Sequence, residues 1–256
     1  MPIYIIWGIG YRYRLVYTPF LWELENNRMH IMEGYLDPIW CLVWFIVMAP
    51  FFYFGVVKLR QILRDHPDQK MMVALSGAFI FLISSLKLPS VTGSSAHPTG
   101  TGIAVVFYGV GVCAVLSTIV LVFQALLIAH GGFTTLGANC VSMGIIGPLV
   151  GLIFWKILRK ANVGVFISMF VAAALADFIT YVVTAIQMAL NVFTTNNANF
   201  VDAFVDFMSV YAVTQIPLAI IEGLVLGMFA QYLSTTRPDV FEIADKNKIN
   251  PFAKEE

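Results

Sequence analysis

The chain has 256 residues, 59% of them hydrophobic and only 12% charged, with a formal net charge of zero. Soluble domains carry about 25% charged residues, so this composition, with a mean hydropathy of +0.81, excludes a water-soluble globular protein. The balanced charge offers no basic surface for nucleic acid, and what remains is an integral membrane protein.

In chain order, residues 1–28 come first, and they make a poor secretory leader. "IYIIWGIG" precedes Arg12 and Arg14, whereas a signal peptide places its basic residues first, and no A-x-A-like cleavage site precedes Met29. Two readings stand, an unusual extension or translation starting at Met29; the second is the expectation here. Spans of roughly 20 apolar residues follow at 38–57, 71–86, 102–129, 131–155, about 161–190 and about 207–233. The breaks "RDHPDQK", "LPSVTGSSAHPTGTG", "AHGG" and "TTNNANF" are rich in turn residues.

Orientation follows from Lys and Arg. Lys58, Arg60, Arg64 and Lys70, then Lys156, Arg159 and Lys160, then Arg237, Lys246, Lys248 and Lys254 mark the cytoplasmic side, while the 90–101 and 191–206 loops have none. A plain count of six spans would return Lys156 to the outer side. The conflict disappears if residues 102–130 enter and leave on one face, and "GVG" at 109–111 supplies a break. The expected fold is an all-α polytopic membrane protein of about seven membrane-embedded helices, N-terminus outside and C-terminus cytoplasmic. Residues 29–236 form one domain and 237–256 a polar tail.

Four histidines can be weighed singly. His66 sits in the charged loop "RDHPDQK" and reads as solvated. His130, before Gly131-Gly132, is a metal ligand or a helix-end residue with its tip at an interface. His30 and His97 fall on the same expected outer face. If Met29 is the first residue, its α-amine and the His30 amide and imidazole offer three coplanar nitrogens in fused chelate rings. A fourth from His97 would complete a square plane, a donor set suited to Ni(II), Cu(II) and low-spin Co(II). The amide must lose its proton, so binding would depend on pH.

Asp177 and Glu222 lie inside apolar runs, where ionisable groups are costly and functional by default; a hydrogen bond to a neighbouring helix is the other reading. Gln124, Gln187 and Gln215 read as interhelical hydrogen bonders. Glu33 either meets His30 or steadies the approach to the first span. Cys41, Cys113 and Cys140 lack CxxC spacing and read as buried small hydrophobes. No H-E-x-x-H, G-x-x-x-x-G-K-[ST] or G-x-S-x-G occurs.

"MHIMEG" at 29–34, "SSLKLPSVTGSSAHPTGTG" at 84–102, "LVFQALLIAHGGFTTLGAN" at 121–139, "SMGIIGP" at 142–148, "ALADFITYVVTAIQ" at 174–187 and "TQIPLAIIEG" at 214–223 closely resemble the CbiM family. The resemblance covers nearly all of residues 29–236. It implies a non-catalytic, substrate-binding component of an energy-coupling-factor transporter that captures Co(II) or Ni(II) as its substrate and has no catalytic cofactor. The partners it implies are a CbiN-like small membrane protein, a CbiQ-like coupling protein and a CbiO-like ATPase. It places the metal site at Met29, His30 and His97, and leans toward cobalt for cobalamin biosynthesis. The chain departs from the family in carrying residues 1–28 ahead of Met29, Ala96 before the loop histidine, and "GYLDP" for the usual "GFLP". Two other classes are weighed beside it: an intramembrane metallohydrolase using His97, His130 and Asp177, and a secondary transporter relaying protons through Asp177 and Glu222.

Overall fold

A computed structural model describes residues 31–86, 88–89 and 95–237. Residues 1–28, Met29, His30 and the tail beyond 237 lie outside the described residues. Helix α1, Pro38–Asp65, starts where the Asp37 side chain accepts from the Ile39 N–H at 2.9 Å and Pro38 presets the first turn. It outruns the apolar 38–57 stretch by two turns that carry Lys58, Arg60 and Arg64, and stops at His66, whose successor Pro67 disfavours helical backbone. A single 3-10 turn, Pro67–Gln69, leads into α2, Lys70–Ser85. A minimal antiparallel pair follows, β1 (Leu88–Pro89) against β2 (Ser95–Ala96), in the register Leu88 to Ala96.

Helix α3, Gly102–Ile128, is broken at Gly109, whose φ of 80° and ψ of 173° no residue with a side chain adopts readily. Twelve residues of straight helix would separate Thr101 from Cys113 by about 18 Å. Instead the Cys113 thiol lies 3.9 Å from the Thr101 carbonyl oxygen. The chain therefore reverses at "GVG", and the short arm before Gly109 folds back beside the long arm after it. The reversal is wedged against α1, where a methyl on Gly55 would overlap the Gly111 carbonyl.

Helix α4, Leu136–Lys160, contains a wide turn over Val141–Ile146 in which the Gly147 N–H reaches back to Ser142 O. Helix α5, Val165–Asn196, ends with Asn197 in the left-handed region. Helix α6, Phe200–Thr236, is capped by the Asn199 side chain accepting from Val201 N–H at 2.9 Å. These two long helices pack against each other along their lengths.

Burial assigns the roles. In the most apolar window of α3, 72% is buried, against 11% in α1, so α3 is the centre and α1 the rim. Ile39, Leu42, Ile46, Phe54, Leu82, Leu126 and Ile216 point outward, as lipid-facing side chains do. Lipid tails give no hydrophobic reason for helices to associate, so small residues and buried polar groups carry the packing. Gln124 Nε2 donates to Ser84 Oγ at 2.7 Å across α3 and α2, and Gln187 Nε2 to Ala138 O at 3.0 Å across α5 and α4. Both act as the interhelical bonders expected of them.

Gly109→Ala is expected to destabilise the protein by about 1–3 kcal/mol through backbone strain, since space for a methyl exists there. Thermal unfolding in detergent measures it, and an unchanged midpoint would contradict the reversal at Gly109.

Candidate metal centre

His97 follows β2 in a stretch of loop that Pro98 and the positive φ of Gly100 keep from turning helical. The loop is nonetheless fully inside the bundle: His97, Thr99 and Thr101 have no exposed surface. The His97 ring is oriented by its neighbour, with Nδ1 3.0 Å from Pro98 O. A carbonyl oxygen only accepts, so Nδ1 carries a proton, and in the neutral tautomer this leaves Nε2 as the basic nitrogen. That is the tautomer in which metal-binding histidines are usually held. Tyr181 Oη of α5 donates to the His97 carbonyl at 2.8 Å. Glu222 of α6 accepts from Thr99 N–H at 2.5 Å, Thr99 Oγ1 at 3.0 Å and Gly100 N–H at 2.8 Å.

His130 is buried against the same ring, not placed at an interface. Its ring centroid is 4.9 Å from that of His97, at 76°, and only 3% of the residue is exposed. Ala129 and Gly131, both with positive φ, turn the chain around it, and its N–H donates to Gln124 O at 3.1 Å.

The same turn touches the stretch that precedes α1. A methyl on Gly132 would overlap the backbone of Glu33, and the Thr134 N–H donates to Glu33 Oε2 at 3.1 Å. Glu33 thus steadies this approach through the 132–134 loop. Just upstream, Ile31 is buried and gripped on both backbone groups: its N–H donates to Asn139 Oδ1 at 3.0 Å, while its carbonyl accepts from Asn139 Nδ2 at 2.9 Å and Thr135 Oγ1 at 2.6 Å. Asn191 repeats the device, accepting from Asp37 N–H at 2.9 Å and donating to Tyr35 O at 3.1 Å. Residues 130–132, a span of at most about 7 Å, therefore link the His130 ring beside His97 to Glu33 in the irregular stretch before α1.

Sequence reasoning passed over Asn139, Asn191, Thr135 and Tyr181. The available signal was an amide inside an otherwise apolar run, which must find partners once buried. It placed Glu222 correctly inside the bundle, where its donors are Thr99 and Gly100 of the loop and its other neighbour is a carboxyl on the adjoining helix. Asp177, in α5, lies fully buried against Glu222. His66 is exposed, and the three cysteines are free and buried. Among the described residues no three of His, Cys, Asp and Glu gather to hold an ion, so His97, His130 and Asp177 do not form the triad a metallohydrolase needs.

Apolar side chains outside, and histidines, amides and carboxyls inside, define a multi-pass membrane protein with a polar interior. The family model for CbiM, the cobalt uptake substrate-specific transmembrane region, matches residues 30–240, and the chain belongs to that family. Similar proteins include the cobalt transport protein CbiM of Streptococcus sanguinis, 52% identical over 81% of this chain and 85% of that one. The cobalt transport protein CbiM of Salmonella typhimurium is 48% identical over 80% of this chain and 84% of that one. A solved structure of a truncated transition metal transporter superposes with a TM-score of 0.69 at 25% identity, covering 81% of this chain and 99% of the other. A second transition metal transporter shares the fold, with a TM-score of 0.71 at 23% identity over 87% and 100%.

The hydrogen bond from Thr134 holds the Glu33 carboxyl below its ordinary value of 4.5. A depressed carboxyl stabilises the fold above its unfolded value, and that contribution is lost as pH falls through the folded value. Glu33→Gln is therefore expected to melt below wild type at pH 7, with the gap closing as the medium is acidified below the ordinary glutamate range. A gap independent of pH would contradict the contact.

Proposed function

We propose that this chain is the substrate-capture subunit of an ATP-driven energy-coupling-factor transporter in the cell membrane, importing Co(II) for cobalamin biosynthesis, with Ni(II) the alternative cargo. The observation that carries this reading is the buried His97 ring, oriented by Nδ1–H donating to Pro98 O and packed against His130 inside the bundle. Beside it the 130–132 turn meets Glu33 in the approach to α1.

In this proposal the mature chain starts at Met29. Its α-amine, the His30 amide and imidazole, and His97 surround the metal with four nitrogens in a plane. The positive-inside distribution of Lys and Arg supports an outer position for this site. Counting the two arms of α3 separately gives seven helical segments among the described residues, with α3 proposed to enter and leave on the outer face and Arg159 to lie on the inner. No ATP-binding motif lies in the chain, so the energy comes from partners: a CbiN-like membrane protein, a CbiQ-like coupling protein and a CbiO-like ATPase.

Three measurements follow. The full chain purified in detergent is expected to bind about one Co(II) or Ni(II), and His97→Ala to weaken that by more than roughly 100-fold, as loss of a direct ligand exceeds the 10–100-fold typical of outer partners. Undiminished binding by His97→Ala would overturn the site. A cysteine replacing Arg159 is expected to escape a membrane-impermeant thiol reagent added outside the cell, and labelling would overturn the orientation. Cobalt accumulation at full rate in cells lacking the ATPase partners would overturn the coupling.

A further inference from the structure

The loop that carries His97 places two backbone N–H groups, those of Thr99 and Gly100, inside an apolar bundle, where each needs an acceptor. One side chain serves both. Glu222, only 2% exposed, accepts Thr99 N–H on Oε2 and Gly100 N–H on Oε1, and Oε1 also takes the Thr99 hydroxyl. Helices α5 and α6 contain no lysine or arginine. The carboxyl is thus met by two amide donors and a hydroxyl from the loop, with the Asp177 carboxyl of α5 on its other side.

Its effect does not stop at the amide. The Thr99 N–H and the Pro98 C=O belong to a single planar peptide, and no cis bond occurs among the described residues. In a planar trans unit the N–H and C=O point in opposite directions, so fixing one aims the other. The Pro98 C=O is the group that receives Nδ1–H of His97. Glu222 therefore reaches the imidazole through one rigid unit: carboxyl to Thr99 N–H, then Pro98 C=O to Nδ1–H. Tyr181 holds the peptide on the other side by donating to the His97 carbonyl.

We propose that Glu222 is a positioning residue for the metal, acting through the Pro98–Thr99 peptide to fix the tautomer and direction of the His97 ring so that Nε2 faces the ion. This rests on the reading of His97 as a ligand. The glutamate is needed because a glutamine has a single acceptor oxygen, and its NH2 would face one of the two N–H groups. Histidine partners of this kind orient the ring and raise its basicity as a ligand.

The test uses the full chain in detergent, titrated with NiCl2 and followed by the ligand-field absorption of the Ni(II) complex. Glu222→Gln is expected to unfold cooperatively, to bind Ni(II) roughly 10- to 100-fold more weakly, and to give a shifted or weakened ligand-field band. A purely structural role would lower the melting temperature and leave the spectrum of the loaded protein unchanged. Wild-type affinity and spectrum in Glu222→Gln would overturn the proposal. If that variant does not fold, Glu222→Asp is read in its place, because it keeps two acceptor oxygens but withdraws them by one methylene. Weakened binding with an altered band supports the proposal, and wild-type values for both overturn it. His97→Ala is measured in parallel. Loss of binding there with an unaffected Glu222→Gln removes only the positioning role, whereas retained binding in His97→Ala removes the metal site itself.

Discussion

Backbone amides that leave regular secondary structure at membrane depth find no water, and they persist only where protein groups take every donor. The loop at 97–101 depends on this constraint. Its N–H groups go to Glu222, its His97 carbonyl to Tyr181, and its Pro98 carbonyl to the His97 ring. The two helices that supply these partners are the longest in the chain, at 32 and 37 residues. Without them the loop would leave the interior, and with it the imidazole. The reversal at Gly109 meets the same constraint differently, by bringing the short arm of α3 back beside the long arm so that its start is enclosed.

The approach to α1 is solved by the same chemistry with different residues. Asn139 and Asn191 each present a carbonyl and an amide to the irregular backbone of residues 31–37, satisfying a donor and an acceptor at once. A primary amide is the side chain that offers both. These two clamps and the Glu33 contact converge on residues 31–37, and the turn that meets Glu33 also carries His130 against His97. Several polar residues inside this bundle serve the backbone of irregular segments, while Gln124 and Gln187 bond between helices.

Much of this was legible in the chain before any coordinates. The helices sit close to the apolar runs, because span length is dictated by the bilayer and breaks by Gly, Pro and Asn. "GVG" was readable as a break because the count of basic clusters could not close without one. The extension of α1 to Asp65 was not, since its last turns are polar and hydropathy is blind to a helix that continues into solvent. Glu222 could be recognised as buried and therefore purposeful, but not paired. Its donors include backbone groups at positions 99 and 100, 123 and 122 residues away respectively, and backbone donors leave no mark in a sequence. Asn139 and Asn191 were missed for the same reason. His130 could be listed among candidate ligands, but only the turn through Ala129 and Gly131 brings it against His97.

The long helices α5 and α6 give the His97 loop a mechanical connection to the opposite end of the bundle. Tyr181 and Glu222 are rigidly placed on them, so a relative shift of the two helices would pull on both ends of the loop together. The central claim concerns the donor set itself. X-ray absorption at the metal edge of the Co(II)-loaded full chain tests it most directly: the account predicts four nitrogen donors in a plane, with one lost in His97→Ala. A tetrahedral or oxygen-rich shell, unchanged by that substitution, would contradict it.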